Sequence, residues 1–560
     1  MNRCERSIMI ASAHQDTFAR DNLPARDRWP DLTFERSGLR YPARMNATVE
    51  LLDRAVDEGH GARVALRTDA ALCSYAQLQA QVDRIAHVLR DDLGLVPGNR
   101  VLLRAANHPM MAACWLAVIK AGLIAVATMP LLRARELAVV VEKARIDAAL
   151  CDARLPDELA TAWPAGRSRT LMFNDDTAPA ERRSGGAGSA RAVTGRPRSL
   201  DALCRQADDR FVACDTAADD VALIAFTSGT TGQPKGTMHF HRDVMAMCDL
   251  FPRSVLKAVP DDIFCGTPPL AFTFGLGGLL CFPLRARASV VLAERLTPKT
   301  LLETIARHRA TICFTAPTFY RQMAGLAGGF DIGSLTKCVS AGEALPDATR
   351  TLWRETTGIE MIDGIGATEM IHIFISSPPE EVRPGAIGRV VPGYEARIVD
   401  ERMHPLAAGE PGLLAVRGPT GCRYLADDRQ SVYVRDGWNL PGDTFSMDAD
   451  GYFHYVARAD DMIVSAGYNI AGPEVEDALL EHEAVAECAV IGARDPARGQ
   501  IVRAFVVLNP GRAGTADLVR ELQDHVKATI APYKYPRDIR FVDALPRTET
   551  GKLQRFRLRE

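Results

Sequence analysis

The run Thr227-Ser-Gly-Thr-Thr-Gly-Gln-Pro-Lys-Gly236 carries the residue types that surround a polyphosphate. Gly229 and Gly232 let a backbone approach phosphate oxygens. The hydroxyls of Thr227, Ser228, Thr230 and Thr231 can donate to them, and Lys235 adds a positive charge. A Walker A loop is excluded, because it needs Gly-Lys-Ser/Thr where this chain reads Pro234, Lys235, Gly236. A second lysine, Lys552, ends the polar turn Pro546-Arg-Thr-Glu-Thr-Gly-Lys552, just before the basic tail LQRFRLRE. Alone, such a lysine reads as a solvated charge. Between the two lie SAGEALP (340–346), DGIGATEM (363–370), WNLPGD (438–443) and ARADDMIVSAGYNIAGPEVE (457–476). His239 and His241 suggest a metal by composition, but two histidines at a strand-to-helix turn with no further ligands favour a structural role.

These segments need a scaffold, and 560 residues suffice for several domains. Hydrophobic residues at 47 % and charged residues at 24 % describe a chain that folds into a core rather than a disordered one. The net charge of -3 offers no overall attraction to nucleic acid or acidic lipid, so neither is expected as a partner and any phosphate site must be local. Thirteen cysteines without a CxxC pair or zinc spacing read as reduced thiols, and the N-terminus lacks a signal-peptide core, which together point to the cytoplasm. The apolar stretch from Pro109 to Leu132 changes character at Lys120-Ala121-Gly122, so it reads as a buried helix, a glycine stop and a buried strand rather than a membrane span.

Up to residue 450, helical patterns such as LQAQVDRIAHVLRDDLG alternate with short strands such as RVLLRAA, which predicts an α/β domain of helix-covered sheets. Residues 182–198 break the pattern as a flexible surface insertion rich in Gly, Ser and Arg. After Asp460 the chain reads strand (DMIVSAG), helix (GPEVEDALLEHEA), strand (VAECAVIGA), strand (VRAFVVL), helix (TADLVRELQDHVKATI), strand (DIRFVDALP). Leu518, Leu522, Val526 and Ile530 step by four along one helix face, and Pro473 stands in the first turn of the other helix. The expected organisation is an N-terminal extension (1–45), a large catalytic domain (46–459) and a small mobile α+β domain (460–560).

In their order and spacing, the six motif segments resemble the adenylate-forming superfamily of acyl-CoA synthetases, nonribosomal-peptide adenylation domains and luciferases. Within it, DTFARDNLP, ELLDRAV, AACWLAVIKAG, ATMPLLRARELA, PPLAFTFGLGG and TEMIHIFISS are similar to the benzoate-CoA ligase group, and most to the 2-aminobenzoate-CoA ligases. The resemblance implies an AMP-forming acid-thiol ligase. A small aromatic carboxylate attacks ATP to give an acyl-adenylate and pyrophosphate, and coenzyme A then takes the acyl group. It admits a homodimer.

Residue by residue, the resemblance implies that Thr227, Ser228, Gly229, Thr230, Thr231, Gly232 and Lys235 hold the β and γ phosphates. Glu369 is implied to associate with Mg²⁺ and Thr368 to bond the α-phosphate. Asp443 and Arg458 hold the ribose, while Gly342, Glu343, Ala344, Asp363, Gly364 and Ile365 line the adenine slot. Lys552 is the adenylation lysine, Asp460 the hinge of the small domain, and Gly467 part of the pantetheine tunnel. Two positions depart from the wider pattern: Ile365 stands where many relatives have an aromatic residue, and Pro441 where Thr or Ser is usual. Phe272, Thr273 and Phe274, with Ala341, Gly366 and His372, are expected to form a narrow, flat acyl pocket that suits a benzoate ring. His372 can either bond a ring substituent or be a satisfied core histidine. Loading of a carrier protein is the alternative acceptor reaction, and an inactive nucleotide-binding scaffold the alternative of another class. Joint retention of Lys235, Glu369, Asp443, Arg458 and Lys552 speaks against the scaffold.

Overall fold

The computed structural model describes residues 11–175, 198–227, 234–458, 463–465, 468–495, 499–530, 532–547 and 553–559. Ser228 to Gly232, Asp460, Gly467, Lys552 and all of the 182–198 insertion except Arg198 lie outside the described residues.

Two sheets form the body of the large domain. One has seven strands in the order Arg198–Ser199, Thr170–Phe173, Ala148–Asp152, Arg100–Arg104, Ile124–Thr128, Val221–Thr227, Lys235–Phe240. Its pairings are parallel except the last, which is antiparallel. The other has nine strands, with a parallel centre running Met361–Gly366, Lys337–Ala341, Ile312–Thr315, Ile263–Gly266, Ser289–Val291, Val64–Arg67 and antiparallel strands at both edges. Parallel strands need crossovers, and the helices that provide them cover the sheets with a shared apolar core. The stretch read as helix, stop and strand is Pro109–Lys120, Gly122 in the left-handed region at φ +73, and Ile124–Thr128. A Cβ at residue 122 would stand 2.6 Å from Cys214 Sγ, so only glycine fits there. No helix among the described residues is long and apolar enough to cross a membrane.

The alternating α/β pattern ends earlier than residue 450. Glu395–Val399, Gly412–Arg417, Val434–Arg435, Trp438–Asn439, Asp443–Met447 and Phe453–Arg458 form a six-stranded antiparallel sheet. Its strands are two to six residues long, and the helix Gln430–Tyr433 within it is a single turn rather than the long crossover helix that a parallel pair uses. Residues 11–45 are tied to the large domain: Ala13 N–H donates to Asp220, Asp31 N–H to the Gly437 carbonyl, and Met45 N–H to the Thr216 carbonyl.

The C-terminal unit has the strands Ile463–Ser465, Tyr468–Ile470, Val485–Asp495, Gly499–Leu508 and Asp538–Phe541, with the helices Gly472–Leu480 and Ala516–Thr529 on one face. Leu522 and Val526 are fully buried, and Leu518 and Ile530 pack beside them. The strand Tyr468–Ile470, which pairs back on Ile463–Ser465, adds to the sequence reading.

One buried ion pair fastens the large domain internally. Arg423 donates to Asp243, and both side chains have zero exposure. Burial alone pushes the Asp243 carboxyl up; Arg423 and His239 more than offset it, so the group sits below the ordinary carboxylate range. Asp243→Ala leaves a buried guanidinium without its counter-charge, and urea unfolding at neutral pH is expected to give a loss of about 3–5 kcal/mol.

Candidate active site

Thr227 and Lys235 face each other across the antiparallel pair Val221–Thr227 and Lys235–Phe240, so residues 228–233 join the two ends of a hairpin. Val221-Ala-Leu-Ile-Ala225 is buried and sets the inner face of the first strand. The Thr227 hydroxyl is buried and has no hydrogen-bond partner among the described residues, although a buried polar group ordinarily has one.

Lys235 Nζ donates to the Tyr424 hydroxyl at 2.8 Å and lies 3.4 Å from Glu369 Oε1. Tyr424 in turn donates to Glu369 Oε1 at 2.5 Å. The ammonium also stands over the rings of Tyr424 and Tyr433, at 4.9 and 5.9 Å from their centroids. Burial, then the Glu369 charge, pushes the Tyr424 phenol far above its ordinary range, so it serves as a neutral donor. Both contacts to Glu369 fall on Oε1. A carboxylate oxygen suits a hard cation such as Mg²⁺.

Glu369 and Thr368 lie in the turn Thr368–Met370 that follows the strand Met361–Gly366. His239 Nε2 donates to the Thr368 carbonyl at 2.8 Å, while its Nδ1 is 3.7 Å from Asp243. His241 Nδ1 accepts from Ala47 N–H at 3.1 Å, and burial pushes its pKa down to about 3. Both histidines are thus engaged with the fold.

Asp443 and Arg458 are opposite residues in neighbouring antiparallel strands, 3.3 Å apart. The Arg458 guanidinium also donates to the Pro441 carbonyl at 3.2 Å. Gly442 has φ +85, and a Cβ there would stand 3.1 Å from Arg458 Nη2, so the turn closes around the guanidinium. Pro441 therefore contributes through its carbonyl, which any residue supplies.

The parallel strands Lys337–Ala341 and Met361–Gly366 are neighbours, with Ser340 opposite Asp363 and Ala341 opposite Gly364. Their C-terminal ends bring Gly342, Glu343 and Ala344 beside Asp363, Gly364 and Ile365, at the edge where open α/β sheets hold ligands. Glu343 accepts from Thr318 Oγ1 at 3.0 Å and from Arg547 at 2.8 Å. Burial pushes the Asp363 carboxyl up to about 7, against the opposing effect of Arg350 at 3.9 Å.

The acyl-pocket candidates fall into two groups. Phe272 and Thr273 line a cavity together with Trp115, Ala127, Leu223 and Leu276. Phe274 and His372 belong to an aromatic cluster, with ring centroids 5.8 Å apart and His372 4.5 Å from Phe282. A Cβ on Gly366 would come within 2.7 Å of the His372 carbonyl oxygen, so this glycine permits the close approach, and Ala341 sits beside Gly364. His372 is buried with neither ring nitrogen in a well-formed hydrogen bond, and burial pushes its pKa down to about 3.

Two contacts to the candidate residues were not legible in the motifs. Tyr424 is carried by a segment that runs along Lys235–Phe240, through Met238 N–H to the Arg423 carbonyl and Leu425 N–H to the Gly236 carbonyl, both at 2.8 Å. Arg547 reaches Glu343 from the C-terminal segment. An aromatic residue in the polar run GCRYLADD was the only local signal for the first.

The antiparallel pair that ends at Thr227 and begins again at Lys235, the Lys235–Tyr424–Glu369 cluster and the parallel strand ends beside Glu343 and Asp363 stand on a large α/β domain followed by a small one, the fold of the adenylate-forming enzymes. The chain matches the AMP-binding enzyme family over residues 52–424 and the AMP-binding enzyme C-terminal domain over 474–552, and it belongs to that family. It is 36 % identical to the benzoate–CoA ligase of Thauera aromatica, over 93 % of this chain and 97 % of that one. It is 32 % identical to the 3-hydroxybenzoate–CoA ligase of Aromatoleum sp. (strain CIB), over 92 % and 97 %. Among solved structures it is similar to the anthranilate CoA ligase AuaEII in complex with anthranoyl-AMP, with a TM-score of 0.85, 32 % identity and coverage of 92 % and 97 %.

His372 generates a pH prediction. Its folded pKa of about 3 lies below the ordinary 6.5, so stability is full above pH 6.5 and is lost as the unfolded chain takes up a proton that the folded chain refuses. Urea unfolding of the wild type and His372→Leu between pH 7 and 4 should show the difference between them shifting against the wild type by about 1.4 kcal/mol per pH unit below 6.5. A pH-independent difference means that the folded protein protonates His372.

Proposed function

We propose that this protein is an ATP-dependent aryl-acid CoA ligase that takes a benzoate-sized acid, 2-aminobenzoate or benzoate. The observation that supports this reading is the near full-length similarity to the benzoate–CoA, 3-hydroxybenzoate–CoA and anthranilate CoA ligases. The neutral His372 supports the 2-amino acid, because an imidazole nitrogen without a partner can accept from a ring amino group.

In the first half-reaction a carboxylate oxygen attacks the α-phosphorus, and the bond to the β-phosphate oxygen breaks with release of pyrophosphate. Thr227 to Lys235 would cradle the β and γ phosphates, Thr368 would bond the α-phosphate, and Asp443 and Arg458 would take the ribose hydroxyls. Glu343 and Asp363, with Gly342, Ala344, Gly364 and Ile365, would border the adenine. Phe272, Thr273, Phe274, Ala341, Gly366 and His372 would enclose the aryl ring. Mg²⁺, when bound, neutralises phosphate charge, and Glu369 would hold it. Lys552 would offset the charge gathered between carboxylate and α-phosphate. In the second half-reaction the CoA sulfur attacks the acyl carbon, AMP leaves with the bonding electrons, and the thiol proton passes to solvent. The small domain would turn about Asp460 between the two steps, bringing Gly467 to the pantetheine path. The large domain would run to residue 459, with the small domain beyond it.

Pyrophosphate release with a panel of aromatic and aliphatic acids, with and without CoA and with mass detection of the thioester, tests the reading. Turnover should be at least about 10-fold higher on benzoate or 2-aminobenzoate than on octanoate. Turnover confined to fatty acids overturns the aryl reading, and release without a CoA thioester favours carrier-protein loading. Tyr424→Phe removes the hydroxyl between Lys235 and Glu369, and kcat/KM for ATP should fall on the order of 10-fold or more with folding intact.

A further inference from the structure

Arg547 has a forked contact that spans two domains. Nη1 donates to Glu343 Oε1 at 2.8 Å, and Nη2 donates to Glu487 Oε2 at 2.8 Å. Glu343 follows the strand Lys337–Ala341 of the large domain, while Glu487 lies in Val485–Asp495 of the small one. The second oxygen of Glu343 accepts from Thr318 Oγ1, so the carboxylate is already oriented toward the guanidinium. Around this pair the surfaces are complementary. Arg321 donates to the carbonyls of Ala486, Leu480 and Val485 at 3.2 to 3.5 Å, and Gln322 to Glu487 at 3.3 Å.

The backbone of Arg547 gives the contact its reach. Arg547 and Leu553 form an antiparallel bridge, and Gln554 N–H donates to the Pro546 carbonyl at 2.8 Å. The two ends of the segment that contains Lys552 are therefore joined at Arg547. Where the guanidinium is held, the root of that segment is held as well.

We propose that Arg547 is a positioning residue for the adenylation step, acting as a latch between the domains; this rests on the two-step ligase reading above. Its contact with Glu343 fixes the root of the Lys552 segment at the strand ends that border the adenine slot. When the small domain turns for thioester formation, Arg547 keeps Glu487, which moves with it, and loses Glu343. The Glu343 contact is thus present in one orientation and absent in the other, which is what a contact needs in order to bias the two. A rigid fork suits this task, because a lysine ammonium cannot hold both carboxylates with the same geometry.

The test uses the full-length chain with Arg547→Gln and Arg547→Lys. Pyrophosphate release from ATP and 2-aminobenzoate without CoA should fall roughly 10-fold or more in Arg547→Gln, since small misplacements of reacting groups carry penalties of that order. Thioester formation from supplied 2-aminobenzoyl-AMP should stay within about 2-fold, and Arg547→Lys should recover part of the loss by keeping one charge contact. Hydrogen exchange should quicken in Arg547→Gln at residues 318–324, 343–346 and 484–488. Equal losses in both half-reactions, an unchanged first half-reaction, or unaltered exchange would each overturn the latch. If the wild type releases no pyrophosphate with any aryl acid, the proposed activity falls, and the exchange result still decides the latch.

Discussion

The register between Val221–Thr227 and Lys235–Phe240 is the constraint from which the rest of the site follows. Side chains alternate faces along a strand, so a slip by one residue would turn Lys235 away from Tyr424 and Glu369. Two features prevent it. On one side the buried run from Val221 to Ala225 admits one registry with the core. On the other, Arg423 and Leu425 bond to Met238 and Gly236. Gly236 lets the strands close, since a Cβ there would stand only 3.0 Å from Ile224 Cγ2. The Arg423–Asp243 pair anchors the same segment in the interior. Asp243 also faces His239, which holds the Thr368 carbonyl, so the hairpin and the turn bearing Glu369 share one buried polar anchor.

Charge balance explains why a tyrosine stands at the centre of that cluster. Lys235 and Glu369 are opposite charges 3.4 Å apart in a largely desolvated setting, and a third charged group between them would be left without compensation. Tyr424 accepts from one and donates to the other while staying neutral, because its surroundings push its pKa far up. The same economy accounts for a net charge of -3 on a protein proposed to bind two polyanions: the cations it needs are few and locally placed.

What the sequence made legible were groups that sit on short local motifs. Lys235, Glu369, Asp443 and Arg458 lie in or beside glycine-bearing segments whose composition marks them, and the structure adds that Asp443 and Arg458 face each other across two strands. Periodicity also conveyed the small-domain helices, because Leu522 and Val526 share a face in any helix. Tyr424 was not legible, since its position depends on a pairing with Thr237 far away along the chain. The antiparallel sheet over 395–458 was read as continued α/β alternation because its strands are too brief to establish a clear period of two. The acyl-pocket residues divided for a similar reason: which aromatic rings pack against His372 is decided by tertiary packing, and Phe272 and Phe274 diverge at the start of one short helix.

Two of the arginine–carboxylate pairs of this molecule differ in the way their tasks require. Arg423 and Asp243 have no exposure at all, and separating them would strand two charges in the interior, so that pair works as a permanent joint. Arg547 and Glu343 keep side-chain exposures of 24 % and 16 %, and water can solvate either group once they part. Contacts that water can reach contribute on the order of 1 kcal/mol, which is enough to bias an equilibrium between two domain orientations and too little to trap one of them. A latch as deeply buried as Arg423–Asp243 would favour the first half-reaction and block the second. A contact that must form and break once in every turnover therefore belongs at the edge of the interface, where Arg547 and Glu343 meet.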